Sequence, residues 1–231
     1  SLVVCSHVYG EHEERSLRSW KAFNPSIASK LSNKTITNVQ KTRTGEIFVT
    51  TSNEIYSFRE DSFLNLAIDV DLSERFSTVR PLAILSLADE STLLLSRSDG
   101  LFSRSKNSSQ FIKSKIRREG TGSDQILSFS YTRSRENLIY MTETEVGLIS
   151  SEKSRVYEAK LKDTSLPSIP AGVFTRREST YLLLEDGNIF QVIAKDAALH
   201  MIPRAECGVT VGAFETAIYT EDDFLLLTSK N

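Results

Sequence analysis

This sequence of 231 residues contains few of the residue types that usually mark a chemical site: two cysteines, three histidines and one tryptophan. Cys5 and Cys207 are too few for a disulfide framework, so we expect a cytosolic or nuclear protein with free thiols. His7 and His12 fit no standard zinc spacing, and His200 lies on a candidate outer strand as a packed or edge histidine. The sequence therefore predicts no metal and no cofactor.

Long apolar runs are also absent. No stretch approaches the roughly 18–20 apolar residues that a membrane-spanning helix needs, and no signal peptide opens the chain. The formal net charge is only −2, which gives no overall attraction to nucleic acid or anionic lipid. We therefore expect no membrane contact, and any contact with nucleic acid would depend on a local basic patch.

What the sequence does contain is a repeat, most clearly seen in residues 44–61, TGEIFVTTSNEIYSFRED. An apolar strand, a polar turn and a second strand recur, and the apolar pairs after the turns are Ile55-Tyr56, Leu101-Phe102, Leu148-Ile149 and Ile189-Phe190. Their spacing is close to the roughly 40–45 residues of a propeller blade. Asp99-Gly100 and Asp186-Gly187 predict tight hairpin turns, because Gly accepts positive φ without steric penalty.

The repeat predicts an all-β fold, a single β-propeller of four-stranded blades with five blades preferred. The predicted parts are closing strands in 1–23, a connector in 24–34, blades in 35–78, 79–124, 125–168 and 169–206, and half of the closing blade in 207–231. Pairing of the N- and C-terminal strands would close the ring and leave no edge exposed. The alternative is a segment of a larger propeller of about six to eight blades.

The inner strands carry continuous apolar runs rather than strict alternation, which indicates that neighbouring blades cover both faces. The predicted inter-blade core comprises Leu93, Leu94, Leu95, Ile139, Leu182, Leu183, Leu225 and Leu226.

The stretches TGEIFVTTSNEIYSF and STLLLSRSDGLFSR resemble divergent WD40-like propeller repeats, although the Gly-His and Trp-Asp dipeptides of standard WD40 blades are absent. The resemblance covers nearly the whole chain. It implies a rigid, non-catalytic scaffold whose loops and faces bind other protein subunits of an intracellular assembly.

The strongest local charge is a basic strip in residues 106–118, KNSSQFIKSKIRR, which contains Lys106, Lys113, Lys115, Arg117 and Arg118 and no acid. On the outer strand of a blade, lysines are a common protection against edge-to-edge pairing. The functional alternative is docking to an acidic partner surface or to nucleic-acid phosphates.

An enzyme is the second class of function. Five-bladed propellers include glycosidases, which need two facing carboxylates. Acids predicted at turns between inner strands are Glu46, Asp89, Glu90, Glu136, Glu178 and Asp222. Acidic residues favour such turns for local hydrogen bonding, and aromatic platforms for a sugar are scarce. We therefore expect no catalytic residues, with a glycosidase or carbohydrate-binding propeller as the alternative.

Overall fold

A computed structural model describes residues 31–42, 45–52, 54–59, 62–68, 80–97, 100–114, 125–206, 210–212, 214–219 and 225–229 of the chain. Almost every described segment contains a strand. In this part of the chain, no helix is long and apolar enough to cross a membrane.

Four units of four strands follow one another along the chain. Unit 1 contains β1 (Ile36–Lys41), β2 (Ile47–Thr51), β3 (Ile55–Arg59) and β4 (Ser62–Ile68). Unit 2 contains β5 (Pro81–Ser86), β6 (Thr92–Ser96), β7 (Gly100–Arg104) and β8 (Gln110–Lys113). Unit 3 contains β9 (Ser128–Tyr131), β10 (Asn137–Met141), β11 (Glu145–Ser150) and β12 (Arg155–Lys160). Unit 4 contains β13 (Pro170–Arg176), β14 (Ser179–Leu184), β15 (Asn188–Lys195) and β16 (Ala198–Glu206).

Within each unit, consecutive strands pair antiparallel in sequence order, as in a propeller blade. The predicted Gly turns are confirmed where they can be seen, because Gly100 and Gly187 have φ of 85° and 87°. In the second of these turns, Asp186 Oδ1 accepts a hydrogen bond from the Asn188 N–H at 3.0 Å. The Asp side chain thus stabilises the turn, and Gly supplies the left-handed backbone.

Units 1 and 2 are also joined through their outer strands. Strand β8 pairs in parallel with β4 over two positions, Ala67 with Gln110 and Ile68 with Phe111. The prediction that this outer strand is a free edge protected by lysines is therefore wrong at its start. The backbone of β8 bonds to a neighbouring unit there, at Gln110 and Phe111. Lys113 lies beyond these paired positions, so its role in blocking edge pairing stays a prediction.

The core lies between the units, and alternate residues of one strand face different neighbours. Leu94 packs with Phe48 and Ile55 of unit 1, whereas Leu93 and Leu95 pack in a cluster with unit 3. This arrangement explains the continuous apolar runs, because a strand with no solvent-facing side has no polar position in its pattern.

The same division occurs in unit 4. Leu182 packs with Ile139 and Leu148 of unit 3, whereas Leu183 packs with Phe174 on the opposite face of the sheet. The core prediction is thus confirmed for its six described members, all of which are buried. The side chains of Leu225 and Leu226 lie outside the described residues.

Beyond unit 4, β17 (Phe214–Tyr219) and β18 (Leu225–Ser229) pair as a two-stranded sheet. Strand β17 packs against the inner strands β13 and β9. The predicted closing strands in 1–23 lie outside the described residues, as does most of the connector. Ring closure, the number of blades and the domain boundaries stay predictions.

Candidate functional site

Glu46 is the first of the candidate acids on the turns between inner strands. Its carboxylate accepts a hydrogen bond from Arg104 Nη2 of unit 2 at 2.8 Å, and Ser57 Oγ donates to it as well. The Glu46 side chain is only 14% exposed. Glu46 therefore does more than form the local turn hydrogen bonds expected of such an acid, because it links two units.

Arg104 is the buried partner in this ion pair, with a side chain only 6% exposed. Its guanidinium lies 5.1 Å from the centroid of the Phe48 ring and 5.7 Å from that of the Phe111 ring. Arg stacks well on aromatic faces because its planar cation is weakly hydrated. Among the described atoms, Arg104 Nε has no hydrogen-bond partner. The contact holds units 1 and 2 together.

The next turn carries Asp89 and Glu90. Asp89 Oδ1 accepts hydrogen bonds from the N–H and the hydroxyl of Ser91, at 3.0 and 2.6 Å. These bonds hold the pKa of Asp89 below its usual value. Glu90 forms an exposed ion pair with Lys106 at 2.5 Å. Both acids therefore have local partners.

The corresponding turns of units 3 and 4 contact each other. Glu178 accepts hydrogen bonds from the Ser134 N–H at 2.9 Å and from the Ser134 hydroxyl at 2.5 Å. The Glu136 N–H donates to the same hydroxyl at 3.3 Å. Asp222 lies outside the described residues. Four predicted acids, Glu46, Asp89, Glu90 and Glu178, are thus occupied with protein groups.

A buried hydroxyl joins the inner strands of three units. Tyr131 Oη on β9 accepts a hydrogen bond from the Ile84 N–H of β5 at 2.8 Å. It also lies 2.8 Å from Gln40 Oε1 on β1 and 3.0 Å from the Ile84 carbonyl, to one of which it donates. Burial raises the pKa of Tyr131. The phenol therefore stays neutral and acts as a structural link.

The basic strip is only partly described. Lys106 is paired with Glu90, as above, and Lys113 is exposed at the end of β8. Between them, Phe111 is fully buried and Ile112 is 54% exposed. Lys115, Arg117 and Arg118 lie outside the described residues, so the predicted docking role of the strip stays a prediction.

The histidine and cysteine predictions are mostly untested. His200 is exposed on the outer strand β16, opposite Ile193 of β15. His7, His12, Cys5 and Cys207 lie outside the described residues. In the part of the chain that the structure covers, no three His, Cys, Asp or Glu side chains are grouped as metal ligands.

Sequence reasoning missed an open groove between units 3 and 4. One hollow of about 470 Å³ lies between the β11–β12 and β15–β16 turns and is lined by Lys153, Arg155, Tyr157 and residues 194–197. A second, of about 310 Å³, adjoins it and shares Lys153, Tyr157 and Ala194. The signal was the presence of cations in or beside the last hairpin turns of two successive units, Lys153 and Arg155 in one and Lys195 in the other. Only the packing of the units makes these turns neighbours.

Comparison with known proteins bears on the fold alone. No protein-family model and no curated protein matches the chain. The extracellular domain of BT4673 from B. thetaiotaomicron, described as a one-component system, is similar at 13% identity and a TM-score of 0.52, over 84% of this chain and 32% of that one. The extracellular domain of BT3049, described as a hybrid two-component system from the same organism, is similar at 8% identity and a TM-score of 0.50, over 84% and 27%.

A third solved structure, BBS1N in complex with ARL6DN, is similar at 14% identity and a TM-score of 0.48, over 92% of this chain and 66% of that one. The chain thus spans about a third or less of the two bacterial domains. The BT4673 domain is a propeller-like all-β fold. The present chain shares this coarse architecture.

Proposed function

We propose that the chain is a non-catalytic, divergent WD40-like propeller scaffold that joins other protein subunits in a cytosolic or nuclear assembly. The main support for this proposal is that the acids on the inner turns are hydrogen-bonded to other groups of the protein. Glu46 and Glu178 each bond to a neighbouring unit, and Asp89 bonds within its own turn. These contacts engage three of the six candidate acids in the fold, and repeats of this kind offer loops and outer faces to partners, which supports a scaffold.

Exposed apolar side chains support an interaction role. Ile112 on β8 is 54% exposed and is followed by the exposed Lys113, and Ile169, just before β13, is 65% exposed. Protein interfaces combine apolar contacts with a polar rim. The face around Ile112 and Lys113 is therefore the first surface to test, with an acidic protein surface as its proposed partner.

Purification of the tagged chain from its native cells tests the scaffold. We expect partner subunits in fixed stoichiometry, measured by native mass spectrometry. Lys106→Glu with Lys113→Glu should release at least one subunit, whereas the control, Lys41→Glu with Lys162→Glu, changes the charge equally on other exposed positions and should release none.

A chain recovered without partners would overturn the scaffold proposal. Hydrolysis of aryl glycosides by the purified chain, abolished by Glu178→Gln, would establish the enzyme in its place. If the test variant and its control release the same subunits, the basic strip is not a docking site.

A further inference from the structure

The groove between units 3 and 4 has a basic end. Lys153, Arg155 and Lys195 line its larger hollow and are all exposed, with Asp196 as the acid beside them. Within the described part of the chain, none of the three cations forms an ion pair. By contrast, Lys34, Arg104 and Lys106 are each paired with a glutamate. Three cations with a single acid among them give this end of the groove a net positive charge, which attracts an anionic group.

The turn that follows Lys195 has a well-defined type of hairpin geometry. Lys195 pairs with Ala198, so Asp196 and Ala197 form a two-residue hairpin turn. Both have positive φ, 51° and 63°, as a type I′ turn requires. Ala rarely adopts this conformation, because its Cβ approaches the following carbonyl oxygen. This two-residue turn places Lys195 in the same hollow as Lys153 and Arg155 of the β11–β12 hairpin.

The other end of the groove differs in charge. Its smaller hollow is lined by Glu152 and Glu178, together with neutral polar groups such as Ser179, Thr180 and Gln191. The buried Tyr157 and the half-buried Ala194 form the shared middle. A nucleic-acid strand would place phosphates along the whole groove and would be repelled by the two glutamates. An extended peptide with acidic residues at one end avoids this repulsion.

We propose that this groove binds an acidic peptide segment of a partner subunit. The carboxylates of the segment lie against Lys153, Arg155 and Lys195, and its neutral residues cross Tyr157 into the smaller hollow. The inference rests on the proposed scaffold function and names the chemistry of one partner. It concerns a different surface from the basic strip.

Fluorescence anisotropy with two pools of labelled ten-residue peptides tests the proposal. One pool has three Asp or Glu residues next to randomised neutral residues, and the other has Asn or Gln in their place. We expect the full chain to bind the acidic pool at least tenfold more tightly. Lys153→Glu with Arg155→Glu and Lys195→Glu should remove this preference. The control, Lys41→Glu with Lys160→Glu and Lys162→Glu, has the same net charge and should keep it.

Equal binding of the two pools, or equal loss in the groove variant and its control, would overturn the proposal. A twelve-residue oligothymidylate bound as tightly as the acidic pool, and lost in the groove variant, would also overturn it. In the purification from native cells, the groove variant should lack at least one subunit recovered with the wild type and the control. If it recovers them all, the groove proposal fails while the scaffold proposal stands.

Discussion

Gly147 illustrates how a single residue is constrained by packing. It lies on β11 opposite Tyr140 of β10, which is fully buried. The Tyr140 ring extends across the glycine, and its hydroxyl donates to Glu158 Oε1 of β12 at 2.6 Å. A Cβ at position 147 would overlap the ring. This position therefore requires a residue without a side chain.

We predict that Gly147→Ala destabilises the protein by about 1–3 kcal/mol, because overpacking a core forces side chains from their preferred rotamers. Urea unfolding monitored by circular dichroism measures the change. Gly212→Ala is the control, since a Cβ there meets no atom within 4 Å. Adding Tyr140→Leu to Gly147→Ala should recover part of the loss, and equal effects of the two glycine substitutions would contradict this account.

One buried and one exposed ion pair together test how burial changes the contribution of an ion pair to the free energy of unfolding. Glu46→Gln keeps the shape of the side chain but leaves Arg104 without its counter-ion in a buried site. We expect a loss of about 1.5–3 kcal/mol, the value of hydrogen bonds to charged groups. Glu90→Gln breaks an exposed pair whose side chains are 44–48% accessible, and its cost should be below about 1 kcal/mol.

The two costs are measured by urea unfolding at low and high salt. Screening should reduce the small effect of Glu90→Gln more than that of Glu46→Gln, because buried charges are screened less. A larger cost for Glu90→Gln would refute the assignment of Glu46 as a link between units.

At the scale of strands, the inner strands β1, β5 and β9 meet at the Tyr131 hydroxyl. Tyr131→Phe would remove the acceptor of the Ile84 N–H and the donor to either the Gln40 amide oxygen or the Ile84 carbonyl. Leaving buried polar groups unsatisfied costs about 1–3 kcal/mol. We therefore predict a loss of that size, with faster amide hydrogen exchange at Ile84.

Tyr181→Phe provides the matched control. Tyr181 stacks on Phe174 with ring centroids 5.1 Å apart, and the substitution keeps this ring contact. We expect its effect on unfolding to be within about 0.5 kcal/mol, as for most substitutions away from buried polar networks. Equal effects of the two substitutions would show that the Tyr131 hydroxyl does not join the strands.

At the scale of the whole molecule, the prediction of ring closure concerns residues 1–23. If they complete the sheet of β17 and β18, their deletion exposes a strand edge. We predict aggregation, seen by light scattering, and a lower thermal unfolding midpoint. A truncated chain that stays monomeric with an unchanged midpoint would favour a segment of a larger propeller.

The sequence by itself determined the strands and their order. Hydrophobic runs and Asp-Gly turns are local signals, and the strands of units 1 to 4 lie within the four ranges predicted as blades. The runs at Leu93 and Leu182 also predicted burial on both faces, because a strand between two neighbours has no position for a polar side chain.

Only the tertiary structure decided which distant residues meet. The pairing of Glu46 with Arg104 joins residues 58 positions apart, and Tyr131 bonds to Gln40 across 91. No local pattern specifies these contacts, because they depend on the angle and register at which complete units pack. The groove arises in the same way. Lys153 and Lys195 belong to separate hairpins, and their shared electrostatic field exists only once units 3 and 4 are adjacent.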